Sequence, residues 1–316
     1  MRAWPRPAGN RGLPTPKRPF GVFIQGALSH PEAHHGGRLS MNNLNGEPAY
    51  VGRFCGSNQY EITPEVIAFY CDALDDHHPA YAHYAPPLLH HSECYEFVGE
   101  WYLQNLFGNL HGQQDWELFS PIPAKGRVRS VSTIIDRYDK RGRNYVLNET
   151  DLFDEADGRL LVRGRTHQSF LPPKDRAEKD QEESFVVDES TAREKKERPP
   201  FPTATGDDLV SFEKTVDQRR CWMFSGPEAN YHTDDEQARK LGFPKIVVQG
   251  MMSTCFVSQV MHEAFESGWV QGGRMSLKLT NVLWVDEHVH THAKVREETE
   301  EAGSTRVHCD VWVEKK

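Results

Sequence analysis

The run FSGPEANYHTDDEQARKLGFP, from Phe224 to Pro244, sets His232 in a turn rich in Gly, Pro and Asn, with an acidic helix start directly after it. An unperturbed imidazole titrates near pH ~6.5, so this residue type suits proton transfer at neutral pH. A well-placed general base contributes roughly 10²–10⁴-fold to a rate. Such a ring needs a group that orients it. Upstream, Pro227 has no side-chain group to do so. Glu228, one residue later, offers a carboxylate, and Asn230 offers an amide that holds either the ring or a water. The plainer readings are a loop histidine with no proton role and a solvated turn acid.

Other groups are weighed in the same way. Thr233 and Glu236 form a T-x-x-E capping box, with Asp234 adding charge to the first turn, so a structural role is expected for them. Asp76, in DDHHPAY, either acts as an acid or closes an Asx-turn at a helix end, and Tyr81 either donates to water or substrate or packs. His288, His290 and His292, in DEHVHTHAK, share one face if the segment is a strand. A metal site there needs an acid or cysteine brought in from elsewhere, so no metal and no cofactor are expected. The six cysteines are scattered, with no CxxC or Cys/His zinc spacing, which points to a reduced compartment.

A chain of 316 residues has room for two domains. Its formal charge of −9 argues against a general nucleic-acid binder. No apolar run approaches the ~18 residues of a membrane span, so no membrane partner is expected. Residues 1–45 are read as a disordered leader. The opening MRAWPRPAGNRGLPTPKRPF is basic, rich in Pro and Gly and almost free of acids. The expected location is cytoplasmic, or mitochondrial if residues 1–40 are a targeting leader.

Elements that would position these groups follow. In YEITPEVIAFYCDALDD, Thr63 is a good N-cap, Pro64 fits the first helical position, and Val66, Ile67, Tyr70 and Ala73 share a face. A loop, HHPAYAHYAPP, precedes a second helix, Leu88–Phe107, apolar around much of its girth. Three antiparallel strands with hairpin turns are expected across residues 126–170. Residues 172–202 read as a charged linker bracketed by Pro-Pro pairs. The order then repeats. A short apolar segment, a turn and a short helix precede a long apolar helix, VVQGMMSTCFVSQVMHEAFESG, and three more strands. The domains are therefore placed at 50–171 and 203–316. The expected fold class is α+β, with a long central helix wrapped by an antiparallel sheet in each half.

With those residues in view, the second half resembles the MaoC-like family of (R)-specific enoyl-thioester hydratases and dehydratases. That family's signature reads Ser-Gly-Asp-any-Asn-Pro-aliphatic-His, then a short helix, Gly-Phe-Pro and an apolar strand ending in His-Gly-Met. Ser225, Gly226, His232, Thr233, Asp234, Ala238, Gly242, Phe243, Pro244, Gly250 and Met251 match it. Pro227 stands where the family has its Asp, Ala229 and Asn230 where it has Asn-Pro, and Gln249 where it has the His before Gly-Met. The first half resembles the N-terminal domain of tandem members. Asp76 falls on the family's Asp, His78 on its Asn, Pro79 on its Pro and Tyr81 on its His.

The resemblance implies a double hot-dog fold. It implies addition of water to a 2-enoyl thioester, or its loss from the 3-hydroxyacyl compound. His232 would then be the proton-moving group, with Glu228, Asp76 across the pseudo-two-fold, or Asn230 as its partner, and Tyr81 near the chemistry. Gly250 and Met251, at the start of the buried helix, would donate backbone N–H groups to the thioester carbonyl, flanked by Gln249 and Asn230. The implied partner is an acyl-CoA or acyl-carrier thioester, with a homodimer or hetero-oligomer as the assembly. Two alternatives stay open: a non-catalytic thioester-binding protein whose dyads have decayed, and a hot-dog thioesterase. The thioesterase wants a carboxylate near the start of the buried helix, which Glu93 would supply in the first half. The run ends at VWVEKK, where the family has one more strand, so an open sheet edge is expected.

Overall fold

The computed structural model describes residues 49–98, 110–140, 143–170, 208–301 and 303–316. The expected leader and linker lie outside the described residues. In the first half, strand β1 (Phe54–Ile62) leads into helix α1 (Pro64–Leu74). Thr63 accepts the Val66 N–H at 3.3 Å, and Pro64 opens the helix as the cap chemistry predicts. Val66, Ile67, Tyr70 and Ala73 are buried along one stripe. The helix stops at Asp75, whose φ of 53° is left-handed, a conformation a short polar side chain tolerates.

Leu88–Phe107 does not form one long helix over its described part. Leu88–Ser92 winds through successive i→i+3 bonds, such as His91 N–H to Leu88 O and Glu93 N–H to His90 O. Glu93–Glu96 form the short helix α2, Val98 is helical again, and residues 99–109 lie outside the described set. Tight i→i+3 turns take the place of the long helix, beginning with the Leu89 N–H to Pro86 O bond at 3.0 Å.

Strands β2 (Leu110–Leu118), β3 (Gly126–Lys140), β4 (Arg143–Asp154) and β5 (Leu160–Phe170) complete the first half. The last three match the hairpin reading; β2 was not foreseen. In the second half come β6 (Ser211–Thr215), α3 (Gln218–Ser225), α4 (Asp235–Lys240), α5 (Gly250–Phe265), α6 (Ser267–Gly272), β7 (Arg274–Lys278), β8 (His288–Glu301) and β9 (Ser304–Lys315). Helix α5 buries ten of its sixteen residues, among them Met251, Met252, Cys255, Phe256, Val257, Val260 and Met261, so it is enclosed on most sides. The capping box is not formed. Asp234 caps α4 by accepting the Gln237 N–H at 2.9 Å, one residue later than expected. Thr233 instead serves the turn before it.

One sheet runs β1-β3-β4-β5-β2-β7 and the other β6-β8-β9, with every pairing antiparallel. Strand β7 of the second half pairs with β2 of the first, Gln113 opposite Lys278 through Glu117 opposite Arg274, so the halves share a sheet. The first half orders its strands β1-β3-β4-β5-β2. The second half sets β6-β8-β9 in one sheet and β7 in the other, with a cleft between β9 and β7. This cleft of about 760 Å³ is walled by Val257 and Met261 of α5, Met275 of β7 and Val307, Cys309 and Val311 of β9. Strand β9 is an edge of the β6-β8-β9 sheet. Inward Val146, Asn148, Thr150 and Leu152 of β4 are buried, whereas Val307, Cys309 and Val311 of β9 are only half-buried.

Candidate active site

Asn230 builds the turn that carries His232. Its Oδ1 accepts the His232 N–H at 2.8 Å, and its Nδ2 donates to Ser225 O at 3.0 Å and Glu228 O at 3.1 Å. Its own N–H donates to Thr233 Oγ1 at 2.9 Å. The Asn230 side chain is thus fully engaged in holding backbone, which accounts for its burial.

The ring partner of His232 is a backbone carbonyl. His232 Nδ1 lies 2.7 Å from Val247 O. A carbonyl only accepts, so Nδ1 carries the hydrogen and Nε2 is left with its lone pair. The Tyr231 ring, 3.9 Å away between centroids, covers one side. Burial pushes the imidazole down to about 4, opposed by the Val247 bond. At neutral pH the ring is an uncharged acceptor. Glu228 does not reach it: its side chain is exposed, and the turn uses only its carbonyl.

Val247 lies three residues before α5 begins, so the strap that holds His232 also delivers the helix start. Gln249 precedes the helix, and its Oε1 accepts the Ser225 hydroxyl at 3.3 Å, tying that start to the histidine turn. As first residues of the helix, Gly250 and Met251 have no intrahelical acceptor for their N–H groups. A Cβ on Gly250 would fall 2.5 Å from Leu279 Cδ1, so the glycine admits a close neighbour at the helix mouth. The first half packs on the segment that leads into this turn: His91 stacks on Phe224 at 4.1 Å and 13°.

Asp76 and Tyr81 form a second group. Tyr81 donates to Asp76 Oδ2 at 2.8 Å, both buried. Burial raises the Asp76 carboxyl, opposed by the Tyr81 bond and by nearby Lys214 and His78. Tyr81 stacks on His262 of α5 at 5.3 Å and 11°. His262 Nε2 lies 2.8 Å from Tyr84 Oη, and His78 lies 4.3 Å from the same imidazole. Burial and His78 push His262 down to about 4. Lys214 donates to the carbonyls of Leu74 and Asp75 at 2.6 and 2.8 Å, and burial pushes it down to about 8. His262 follows Gly250 by twelve residues, or roughly 18 Å of helix at 1.5 Å per residue. The two groups therefore mark opposite ends of α5, and Asp76 bonds to Tyr81 rather than His232.

Sequence reasoning missed His262, Tyr84 and Lys214. The available signal was the spacing of His78, Tyr81 and Tyr84, three apart along a 3-10 turn at Pro79–Ala82. The histidine row of β8 also changes meaning. The fold brings two acids to it: His292 lies 2.8 Å from Asp208 and 2.9 Å from Glu314.

Comparison with known proteins agrees with this layout. Residues 200–314 match the family model described as a MaoC like domain. No curated protein sequence matches the chain. A solved structure named a MaoC-like dehydratase is similar at 15% identity and a TM-score of 0.58, covering 84% of this chain and 98% of the other. A MaoC-like dehydratase from Phytophthora capsici gives 16% identity and 0.56, over 84% and 94%. A Mycobacterium tuberculosis protein described as a double hotdog fold gives 9% and 0.50, over 84% and 90%. At such identities the likeness speaks for the fold. Among the described residues no helix is long and apolar enough to cross a membrane. The protein therefore has an α+β double hot-dog fold, and its residues 200–314 match the model of a MaoC like domain.

Proposed function

We propose that the protein hydrates a 2-enoyl thioester, or dehydrates the matching 3-hydroxyacyl thioester, of coenzyme A or a carrier protein. The observation that carries this reading is the His232–Val247 bond of 2.7 Å. It leaves Nε2 able to take a proton from water beside the start of α5. In this reading the thioester carbonyl sits at that helix start, where backbone donors and the helix dipole oppose the charge that builds on oxygen. One such donor contributes roughly 3 kcal/mol. Nε2 accepts a proton from water as the oxygen attacks C3, and returns it at C2. A carbonyl orients the ring but adds no negative charge to stabilise the imidazolium formed. A weaker base than an acid-paired histidine follows.

The same frame assigns the units: residues 50–171 and 203–316 as two hot-dog domains joined by the 172–202 linker. Asp76 and Tyr81 hold the first-half loop against α5 and bear on catalysis through that packing.

One observation favours a second reading, thioester hydrolysis. Glu93 opens α2, is buried, and is pushed up to about 7 by burial. It accepts from Ser130 Oγ and Asn58 Nδ2, beside a polar inner face in which Asn148 bonds Ser132. A carboxyl poised near neutrality suits a base or nucleophile aimed at a carbonyl carbon.

The test is turnover of crotonyl and longer enoyl thioesters, followed by loss of the enoyl absorbance and, separately, by release of free thiol. Loss of enoyl without thiol supports hydration. Thiol release abolished by Glu93→Gln supports the second reading. Tight thioester binding with neither signal rejects both.

A further inference from the structure

The outer face of the β6-β8-β9 sheet carries ligating side chains that the steps above do not use. His290 and His292 are two apart on β8 and share a face. In the register, Glu314 of β9 lies opposite His290, and Trp312 opposite His292. One ligand atom from each of His290, His292 and Glu314 falls within 4.8 Å of the others. His292 is buried, His290 half-buried and Glu314 exposed, so the group is anchored on one side and open to solvent on the other. Trp312 stacks under the His292 ring at 4.6 Å and 13°.

The hydrogen bonds of His292 set the chemistry. Its Nδ1 lies 2.8 Å from Asp208 Oδ2 and its Nε2 2.9 Å from Glu314 Oε1. A carboxylate only accepts. With its hydrogen on Nδ1 toward Asp208, the ring would present the Nε2 lone pair to a second carboxylate oxygen. Two acceptors at that separation need a cation between them. A proton serves, and so does a metal ion. An imidazole with a carboxylate on its far nitrogen is the arrangement that orients metal-ligating histidines and raises their basicity.

We propose that His290, His292 and Glu314 bind a divalent transition-metal ion of the zinc type, with Asp208 orienting His292. Two imidazoles and one carboxylate are a donor set for zinc and its first-row neighbours, whereas magnesium and calcium take oxygen shells. Zinc bonds of about 2.0–2.1 Å in a tetrahedron separate ligand atoms by roughly 3.4 Å. Small rotations of the exposed Glu314 and half-buried His290 side chains close the present spacing to that value. The fourth position faces solvent and takes water. Because the ligands come from β8 and β9, the ion fastens the central strand of this sheet to its neighbour.

The test uses the full chain, stripped with a chelator and titrated with Zn²⁺ by calorimetry, with Co²⁺ as the spectroscopic probe. One ion per chain is expected, with a tetrahedral Co²⁺ spectrum and a melting temperature that rises with Zn²⁺. His290→Ala and Glu314→Gln, both on the wet face, should each weaken binding at least about tenfold while the far-UV circular dichroism stays unchanged. Asp208→Asn should weaken it about 10–100-fold, as loss of an orienting carboxylate does. No uptake by the native chain overturns the proposal. So does uptake of unchanged affinity in the His290→Ala/Glu314→Gln double variant, which would place the ion on other histidines.

Discussion

Tyr81 donates its hydroxyl to Asp76 at 2.8 Å, and the two stand five residues apart, the same spacing that separates Pro227 from His232. Each half holds one ring by a short hydrogen bond. In the first half the ring is a phenol and its partner an acid, whereas in the second the ring is an imidazole and its partner a backbone carbonyl. The phenol, raised well above its ordinary range by burial and by Asp76, stays protonated and acts as a donor.

Tyr81→Phe leaves a buried carboxyl without its donor. Such a loss costs about 1–3 kcal/mol. Urea unfolding should show the drop, and Asp76→Asn should show one of similar size. Because the two share one bond, the double variant should lose less than the sum. Strict additivity would mean the bond is not formed in solution.

Acid should weaken the fold from about pH 6.5 downward. Burial pushes His91, His111, His232 and His262 down to about 4 and His90 to about 3. The unfolded chain takes up protons on these rings near pH ~6.5 and the folded chain does not. Their contribution is present above that pH and is lost as pH falls toward 4. Glu93 acts in the opposite sense. Raised to about 7, it favours the fold most below its ordinary value near 4.5, an advantage that fades as pH rises to 7. The five histidines outweigh it, so the melting temperature should fall between pH 6.5 and 4.5. His90→Leu, which removes the ring with the deepest shift, should flatten that fall. A melting temperature that rises over the same range would contradict the buried neutral rings.

Gly250→Ala brings a methyl to within 2.5 Å of the present Leu279 Cδ1. The obstacle is the end of a flexible side chain, so the protein should fold with a lowered melting temperature. Leu279→Ala should restore the stability. If Gly250 admits the thioester as well as Leu279, the double variant should remain impaired in turnover. Full recovery of both would confine the glycine to packing.

Much of the scaffold could be read in the chain because local signals agreed with it. Thr63-Pro64 marks the start of α1 by capping chemistry, and the turn with Asp157 and Gly158 separates β4 from β5. The apolar girth of Gly250–Phe265 announces an enclosed helix. What failed was local evidence contradicted by neighbours. Leu88–Ser92 has helical composition, but its backbone closes successive i→i+3 turns. Thr233 has the spacing of a cap, but Asn230 and Glu228 O claim its hydroxyl. The site was half legible. His232 stood out by residue type and spacing, but its Val247 partner is a carbonyl, a group every residue has, placed there only by the fold. Lys214 and His262 join Asp76 from 138 and 186 positions away in sequence, and no periodicity reports such meetings.

His232→Ala separates an enzyme from a binder. If Nε2 moves the proton, the variant should lose at least about 100-fold in kcat on enoyl thioesters, the lower end of a general base's contribution. KM should move little, since the ring acts on water and not on the thioester handle. Glu228→Gln should leave both constants near native, because that exposed side chain does not touch the ring. Pro227→Asp places an acid at the spacing that Asp76 has from Tyr81 and should raise the rate if the turn accepts it. An acid there would stabilise the imidazolium that the Val247 carbonyl cannot. Native turnover by His232→Ala with an intact fold would remove the histidine from the chemistry and leave Glu93 as the remaining candidate group.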